Sequence, residues 1–204
     1  MKTKKKTLNY TLFTLFAAII ILLSVTTLGF IHLGFIKATI VHIPVIIGSI
    51  ILGPTAGAGL GIIFGINSII NNTISPSILS FAFSPLVPVI GTTSGSPFAL
   101  IIALLPRILV GIVPYYIVES QFIKKDSIRL GLAGFIGSMT NTILVMGLIY
   151  LLFKDAYGSA RGIEGLAVTR AILSVIIFNG IPEAIVSTLI TIPITKALYK
   201  VRRK

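Results

Sequence analysis

From Ala38 to Pro106 the chain contains no Asp, Glu, Lys or Arg. A stretch of that length cannot coat a soluble domain, where charged residues make up roughly a quarter of the total. Nor can it be one helix: a bilayer core about 30 Å thick takes about 20 helical residues. The interval must therefore fold back on itself. The rest of the chain agrees, with 55% of its 204 residues hydrophobic and only 11% charged. So few polar side chains could not cover a globule in water, which excludes a cytosolic or secreted enzyme and a disordered chain. Cysteine is absent, which removes a disulfide scaffold and thiolate ligation; with two His and five acidic residues, no metal centre and no cofactor are expected. The expectation is an integral membrane protein of the cell membrane, one domain over 1–204.

The net charge of +12 invites a nucleic-acid reading, but the placement of the charges argues against it. Lys2, Lys4, Lys5 and Lys6 precede the first apolar run. Lys124, Lys125 and Arg129 sit in one hinge, and Lys196, Lys200, Arg202, Arg203 and Lys204 close the chain. Twelve of the 17 basic residues thus lie at ends of apolar segments rather than on one soluble face among aromatics. Basic clusters at span ends mark the cytoplasmic side, so all three clusters are assigned there.

The apolar segments read as six spans, at 8–28, 39–52, 55–70, 97–118, 130–153 and 171–198. Gly53-Pro54 is the turn between the second and third. The Lys-rich start could also open a signal peptide, but the run is long and no A-x-A-like cleavage site follows it. Six spans place both termini and the Lys124–Arg129 hinge on one side, in agreement with the charges. The expected fold is all-α, a six-transmembrane-helix bundle with both termini cytoplasmic. Outside lie the loops 29–38 and 154–170 and a long third connection, 71–96. Connections of that length in compact proteins are usually functional. This one carries Phe81 and Phe83, so it is more than a solvated loop, and Phe81 joins the candidates for ligand contact.

Ionisable residues inside spans are costly and are functional hypotheses by default. Arg107 lies about ten residues in from the outer end of the fourth span and Glu183 about twelve in from that of the sixth. Asn141 falls at a similar depth, and Asn179 lies one turn above Glu183. Two readings stand. Arg107 and Glu183 neutralise each other as a buried pair, or they line a polar pocket open to the outside. Pro106, Pro114 and Pro182 flank these residues, and proline frees a helix carbonyl one turn earlier. His42, followed by Pro44, is a further candidate; a lone His is more often hydrogen-bonded scaffolding. Asn67, Asn71 and Asn72 cluster at the outer end of the third span, as interfacial caps or as ligand contacts. Asn71-Asn72-Thr73 also matches a glycosylation acceptor, meaningful only in a eukaryotic secretory setting.

Gly53, Gly57, Gly61 and Gly65 recur every fourth residue in the third span, and Thr14 and Ala18 form a shorter pair on the first. In lipid such stripes let helices approach closely, either inside the bundle or against a partner. No G-x-x-x-x-G-K-[ST] is present, so the chain has no phosphate-cradling loop of its own. Neither G-x-S-x-G nor H-E-x-x-H occurs, and no enzyme is expected.

Thr39-Ile-Val-His42-Ile-Pro44-Val-Ile-Ile-Gly48, then Leu52-Gly53-Pro54 with Gly57 and Gly61, and Leu105-Pro106-Arg107-Ile-Leu-Val-Gly111 resemble the substrate-binding S components of energy-coupling factor (ECF) vitamin transporters. The likeness covers most of the chain and is greatest to members assigned to pantothenate; related members are assigned to other vitamins, including cobalamin. The resemblance implies a bundle that captures a vitamin from outside under closing outer loops. It further implies docking onto a transmembrane T component that carries two cytoplasmic ATPase subunits, with membrane lipid around it and no nucleic acid. In the family an A-x-x-x-A stripe on the first helix contacts the T component; the nearest equivalent here is Thr14-Leu-Phe-Ala17-Ala18. Candidate substrate contacts are Arg107, Glu183, Asn141, Asn179, His42, Asn67, Asn71 and Phe81, and candidate docking residues Thr14, Ala18, Gly57 and Gly61. A stand-alone secondary carrier is the competing class, although the Pro-Arg motif of the fourth span has no counterpart in the first, as repeat-built carriers would have.

Overall fold

The computed structural model describes residues 2–33, 36–120 and 123–203. Gly34 and Phe35 of the expected first outer loop, and Lys204 of the basic tail, lie outside the described residues. Helix α1 (Lys2–Val25) leads through a 3₁₀ turn into a hairpin, β1 (Phe30–Leu33) and β2 (Ile36–Thr39), paired antiparallel with Phe30 opposite Thr39. The helices α2 (His42–Leu52), α3 (Pro54–Ile74), α4 (Phe98–Val110), α5 (Val113–Glu119), α6 (Asp126–Arg161), α7 (Leu166–Val175) and α8 (Ile181–Arg203) follow. A π-helical turn, Ile176–Gly180, joins α7 to α8 without a break. The bundle is helical as expected, with the hairpin where an outer loop was expected.

Five helical stretches are long and apolar enough to cross a membrane: Lys6–Val25, Pro54–Ile74, Phe98–Glu119, Asp126–Arg161 and Leu166–Val201. The expected second span is different. Helix α2 has 11 residues, about 16 Å at 1.5 Å per residue. His42 through Ile51 are all buried. A helix apolar on every face belongs in a core rather than against lipid on one side, and α2 forms the axis around which the other helices pack. It ends at Gly53, whose φ of +98° a residue with a Cβ rarely adopts. Pro54 then starts α3 at a position where its missing N–H costs nothing.

Other boundaries shift for local reasons. The first helix stops at Val25 rather than 28, because the chain turns into the hairpin. The fourth span is broken at Gly111–Ile112, just ahead of Pro114, which cannot donate into the preceding turn. Helix α6 runs on to Arg161, through a kink at Phe153 (φ −138°, ψ 27°). The expected loop 154–170 is therefore mostly helix, with the turn confined to 162–165.

The glycine stripe of α3 lies against α4 in a fixed register. A Cβ at Gly57 would fall 1.9 Å from the Gly111 carbonyl oxygen, at Gly61 2.2 Å from that of Arg107, and at Gly65 2.8 Å from that of Ala103. Gly57 and Gly61 are buried in this contact. Their face is taken up by α4 and the turn that follows it, a contact inside the bundle. Thr14 and Ala18 do lie on an exposed face of α1. Across the bundle, α6 and α8 are joined by hydroxyl-to-carbonyl bonds, Ser187 to Gly134 at 3.0 Å and Thr188 to Gly131 at 3.2 Å, a polar link suited to lipid. Gly61→Leu should abolish the close approach and lower the thermal melting point in detergent sharply, by more than the ~1–3 kcal/mol of ordinary overpacking, because the obstacle is backbone. Gly147→Ala, where a Cβ meets nothing within 4 Å, should leave the melting point unchanged or raised.

Candidate functional site

Pro106 has no N–H, so the carbonyl of Ile102 loses its helical partner. The Arg107 guanidinium supplies the replacement: its Nη1 donates to the Ile102 oxygen at 2.6 Å. That bond turns the side chain back along α4 toward the bundle interior, where it is 7% exposed. Phe64 of α3 and Phe83 of the long connection place their rings 5.4 and 5.2 Å from its central carbon. Each such contact is worth about 0.5–2 kcal/mol, the upper end when desolvated. Nε is buried and has no hydrogen-bond partner. No carboxylate pairs with Arg107; the one ion pair among the described residues joins Arg129 to Asp126 at the start of α6.

Glu183, at the start of α8, bonds elsewhere. Its Oε1 accepts the backbone N–H of Thr39, the last residue of β2, at 2.7 Å. The carboxylate thus ties the hairpin to α8 and leaves Arg107 uncompensated. Removing a guanidinium from water costs several kcal/mol even after relaxation, and one carbonyl and two ring faces are the contacts that offset it.

Both charged groups open on one cavity of about 240 Å³, slightly below the ~300–1,000 Å³ typical of drug-sized ligands. Ser24 of α1, Thr39 and Val41 from the hairpin junction, and Phe83 form parts of its wall. Phe64, Ser68, Asn71 and Asn72 line it from α3, and Asn141 from α6. Asn141 Oδ1 is buried without a partner, an acceptor left open beside the cavity. Asn71 Nδ2 donates to the Ser24 carbonyl at 2.6 Å, bridging the ends of α1 and α3. Asn72 is bonded on both sides of its amide, donating to the Ser68 carbonyl at 2.8 Å and accepting from Ser80 Oγ at 2.7 Å. With the Thr73–Ser84 hydroxyl contact at 2.7 Å, this fastens the long connection across the end of α3.

Of the residues expected at a site, the structure brings Arg107, Glu183, Asn141 and Asn71 to this cavity. The other four lie elsewhere. His42 is fully buried at the start of α2 with neither ring nitrogen bonded. Asn67 has a buried amide nitrogen without a partner, away from the cavity wall. Asn179 is in the π-helical turn. In a regular helix it would share a face with Glu183 four residues on, but the wider i→i+5 turn breaks that register. Phe81 is 1% exposed and stacks edge-on against Phe153 at 5.6 Å, in the core beside α6. Phe83, two residues on, is the aromatic that reaches Arg107. A sequence signal for two missed residues exists: Phe64 and Ser68 stand at helical spacing on α3 from the expected Asn71 and Asn72.

Comparison with known proteins places the chain among membrane transport components. Residues 8–195 match the family model of the ECF transporter, substrate-specific component. The chain is 39% identical over 201 residues to the pantothenic acid transporter PanT of Lactococcus lactis subsp. cremoris (strain MG1363), covering 98% of this chain and 97% of that protein.

The two phenylalanines should separate experimentally. Phe81→Ala empties a fully packed position and should lower stability by about 3–5 kcal/mol. Phe83→Ala, half-buried at the cavity wall, should cost less than half as much. Chemical denaturation of both variants in detergent measures the difference.

Proposed function

The chain belongs to the family of ECF transporter substrate-specific components, and from that premise we propose that it binds pantothenate from outside the cell and passes it to a transmembrane T component with two ATPase subunits. A membrane setting follows from the family and from the five long apolar helices. In the proposed topology the chain crosses six times, α2 making the short crossing, with both termini in the cytoplasm as the basic clusters require.

The observation that carries the substrate reading is the buried Arg107 with no carboxylate at ion-pair distance among the described residues. Pantothenate is an extended molecule with a carboxylate at one end, hydroxyls at the other and an amide between them. A guanidinium donates two parallel hydrogen bonds to a carboxylate, which is the strongest neutralisation available in a site closed to water. The open acceptor on Asn141 and the Glu183 carboxylate suit the hydroxyl and amide protons at the far end. Had Arg107 paired with Glu183, the pull on an anion would have been cancelled. The relative PanT, matched end to end and called a pantothenic acid transporter, supports the same reading. The cavity volume of about 240 Å³ suits this slender acid and is far too small for a corrinoid such as cobalamin. ATP would act on the partner subunits, since the chain carries no phosphate-binding loop.

Titration calorimetry on the purified chain should show pantothenate binding without any partner. Arg107→Ala should weaken it at least tenfold, about 1.4 kcal/mol. Pantothenol, with an alcohol in place of the carboxylate, should bind the wild type weakly and lose little more in Arg107→Ala. Glu183→Gln, whose amide oxygen can still accept from Thr39 but whose NH2 replaces the second acceptor, should weaken pantothenate less than Arg107→Ala does. Equal losses for acid and alcohol in Arg107→Ala would assign Arg107 to scaffolding. Pantothenate uptake by vesicles holding this chain alone, without ATP, would replace the reading with a secondary carrier.

A further inference from the structure

Behind the wall of the Arg107 cavity stands a histidine. His42 opens α2 directly after Val41, which lines the cavity. Its ring is wholly buried, and neither nitrogen has a hydrogen-bond partner. Buried polar side chains are nearly always bonded. The neighbouring positions of α2 hold Ile43, Val45, Ile46 and Ile47, so an apolar side chain would serve packing alone.

Helix packing sets what stands beside the imidazole. Ile46 of α2 meets Gly137 of α6, where a Cβ would fall 3.0 Å from the isoleucine side chain. The two helices run in opposite directions at this contact, because Val41 and Asn141 both reach the cavity. His42 precedes Ile46 by one turn and Asn141 follows Gly137 by one turn, which brings them level. Asn141 Oδ1 is a buried acceptor without a partner. From α4, the Arg107 side chain bends back to the Ile102 carbonyl, and its charge is felt at the imidazole. Arg107 Nε–H is a buried donor without a partner.

These open atoms complement one another. A neutral imidazole carries one acceptor nitrogen and one N–H donor. The acceptor matches Arg107 Nε–H, and the donor matches Asn141 Oδ1. The charged ring would match only the second and would set another cation against the guanidinium. We propose that His42 is a positioning residue of the Arg107 site: one neutral tautomer accepts from Arg107 Nε and donates to Asn141 Oδ1, directly or across one buried water, and so holds both side chains for the solute. Held through Nε, the guanidinium keeps N–H groups on Nη1 and Nη2 for an anion, and Asn141 Oδ1 keeps a second lone pair for a solute hydroxyl. The proposal deepens the pantothenate reading and rests on it only for the ligand used to measure affinity.

Two measurements test it. The chain has two histidines, so with isotope-labelled histidine in a His32→Gln background the nitrogen NMR spectrum of the full chain in lipid nanodiscs reports His42 alone. One neutral tautomer is expected, with both ring nitrogens hydrogen-bonded. Arg107→Lys, which keeps the charge but loses the Nε–H, should move the acceptor resonance to that of a free ring nitrogen. Asn141→Leu should move the N–H resonance. Asn67→Leu, which removes another buried donor without a partner, should move neither. In calorimetry, His42→Phe should weaken pantothenate about fivefold or more, but about twofold or less when Asn141 is already leucine, because residues in one network are not additive. His42→Gln restores a donor and an acceptor and should recover most of the loss. Ring resonances unmoved by both Arg107→Lys and Asn141→Leu, or an equal loss for His42→Phe in the two backgrounds, overturn the proposal. Where the His42 variants fold poorly, the spectra decide, since they keep His42 in place. A wild-type chain that binds no pantothenate would sink the substrate reading while the spectra still decide the role of His42.

Discussion

A single unneutralised guanidinium organises this molecule. Arg107 is buried among helices, where an isolated charge is among the most expensive things a fold can hold, and each neighbour is arranged around that cost. Pro106 releases the carbonyl that Arg107 takes up. The glycines at 57, 61 and 65 let α3 approach α4 closely enough for Phe64 to lie over the guanidinium. The long connection contributes Phe83 from the other side. Sequence, backbone break, helix packing and loop path thus converge on one side chain, and beside it they leave a cavity unfilled.

Glu183 explains why that place stays open. A carboxylate and a guanidinium in the same small cavity would ordinarily pair, and the fold prevents it by giving the carboxylate a different donor, the Thr39 backbone N–H. The bond has a second effect, since it fastens the end of the hairpin to α8 and closes that side of the cavity. One hydrogen bond therefore serves both electrostatics and architecture. Substitution by glutamine separates the two roles, because it removes the charge and keeps an acceptor.

Much of this was legible in the sequence, and the limits have physical causes. The charge-free interval and the four-residue glycine spacing depend only on composition and helical period, so they survive into the structure. The partners of Arg107 and Glu183 depend on how each helix is rotated. The π-helical turn at 176–180 offsets that rotation by a residue and carries Asn179 off the face of Glu183. The kink at Phe153 does similar work in α6, receiving Phe81 in the core and leaving Phe83 for the cavity. Neither irregularity has a signature in residue type alone. The hairpin was hidden because Phe30–Thr39 is too short and too mixed to stand out from a loop, and α2 because burial on all sides looks, in sequence, like a lipid-facing span.

The position of the cavity also bears on how cargo crosses. Between Arg107 and the end of the bundle where α1 begins stands a packed core that includes Phe16, Ile46, Leu60 and Val110, each at most 5% exposed. Interiors of this density do not open a path by side-chain motion alone. A solute bound at Arg107 can leave through the wall by which it came, or be carried as the whole body changes its surroundings. Moving a two-state equilibrium from almost all of one form to almost all of the other takes about 5.5 kcal/mol of differential binding. A chain with no nucleotide site and no second charged relay across its core has no internal source for that sum. In the proposed reading that energy arrives through a surface, and Thr14 and Ala18 on the exposed side of α1 are the residues the sequence offers for it.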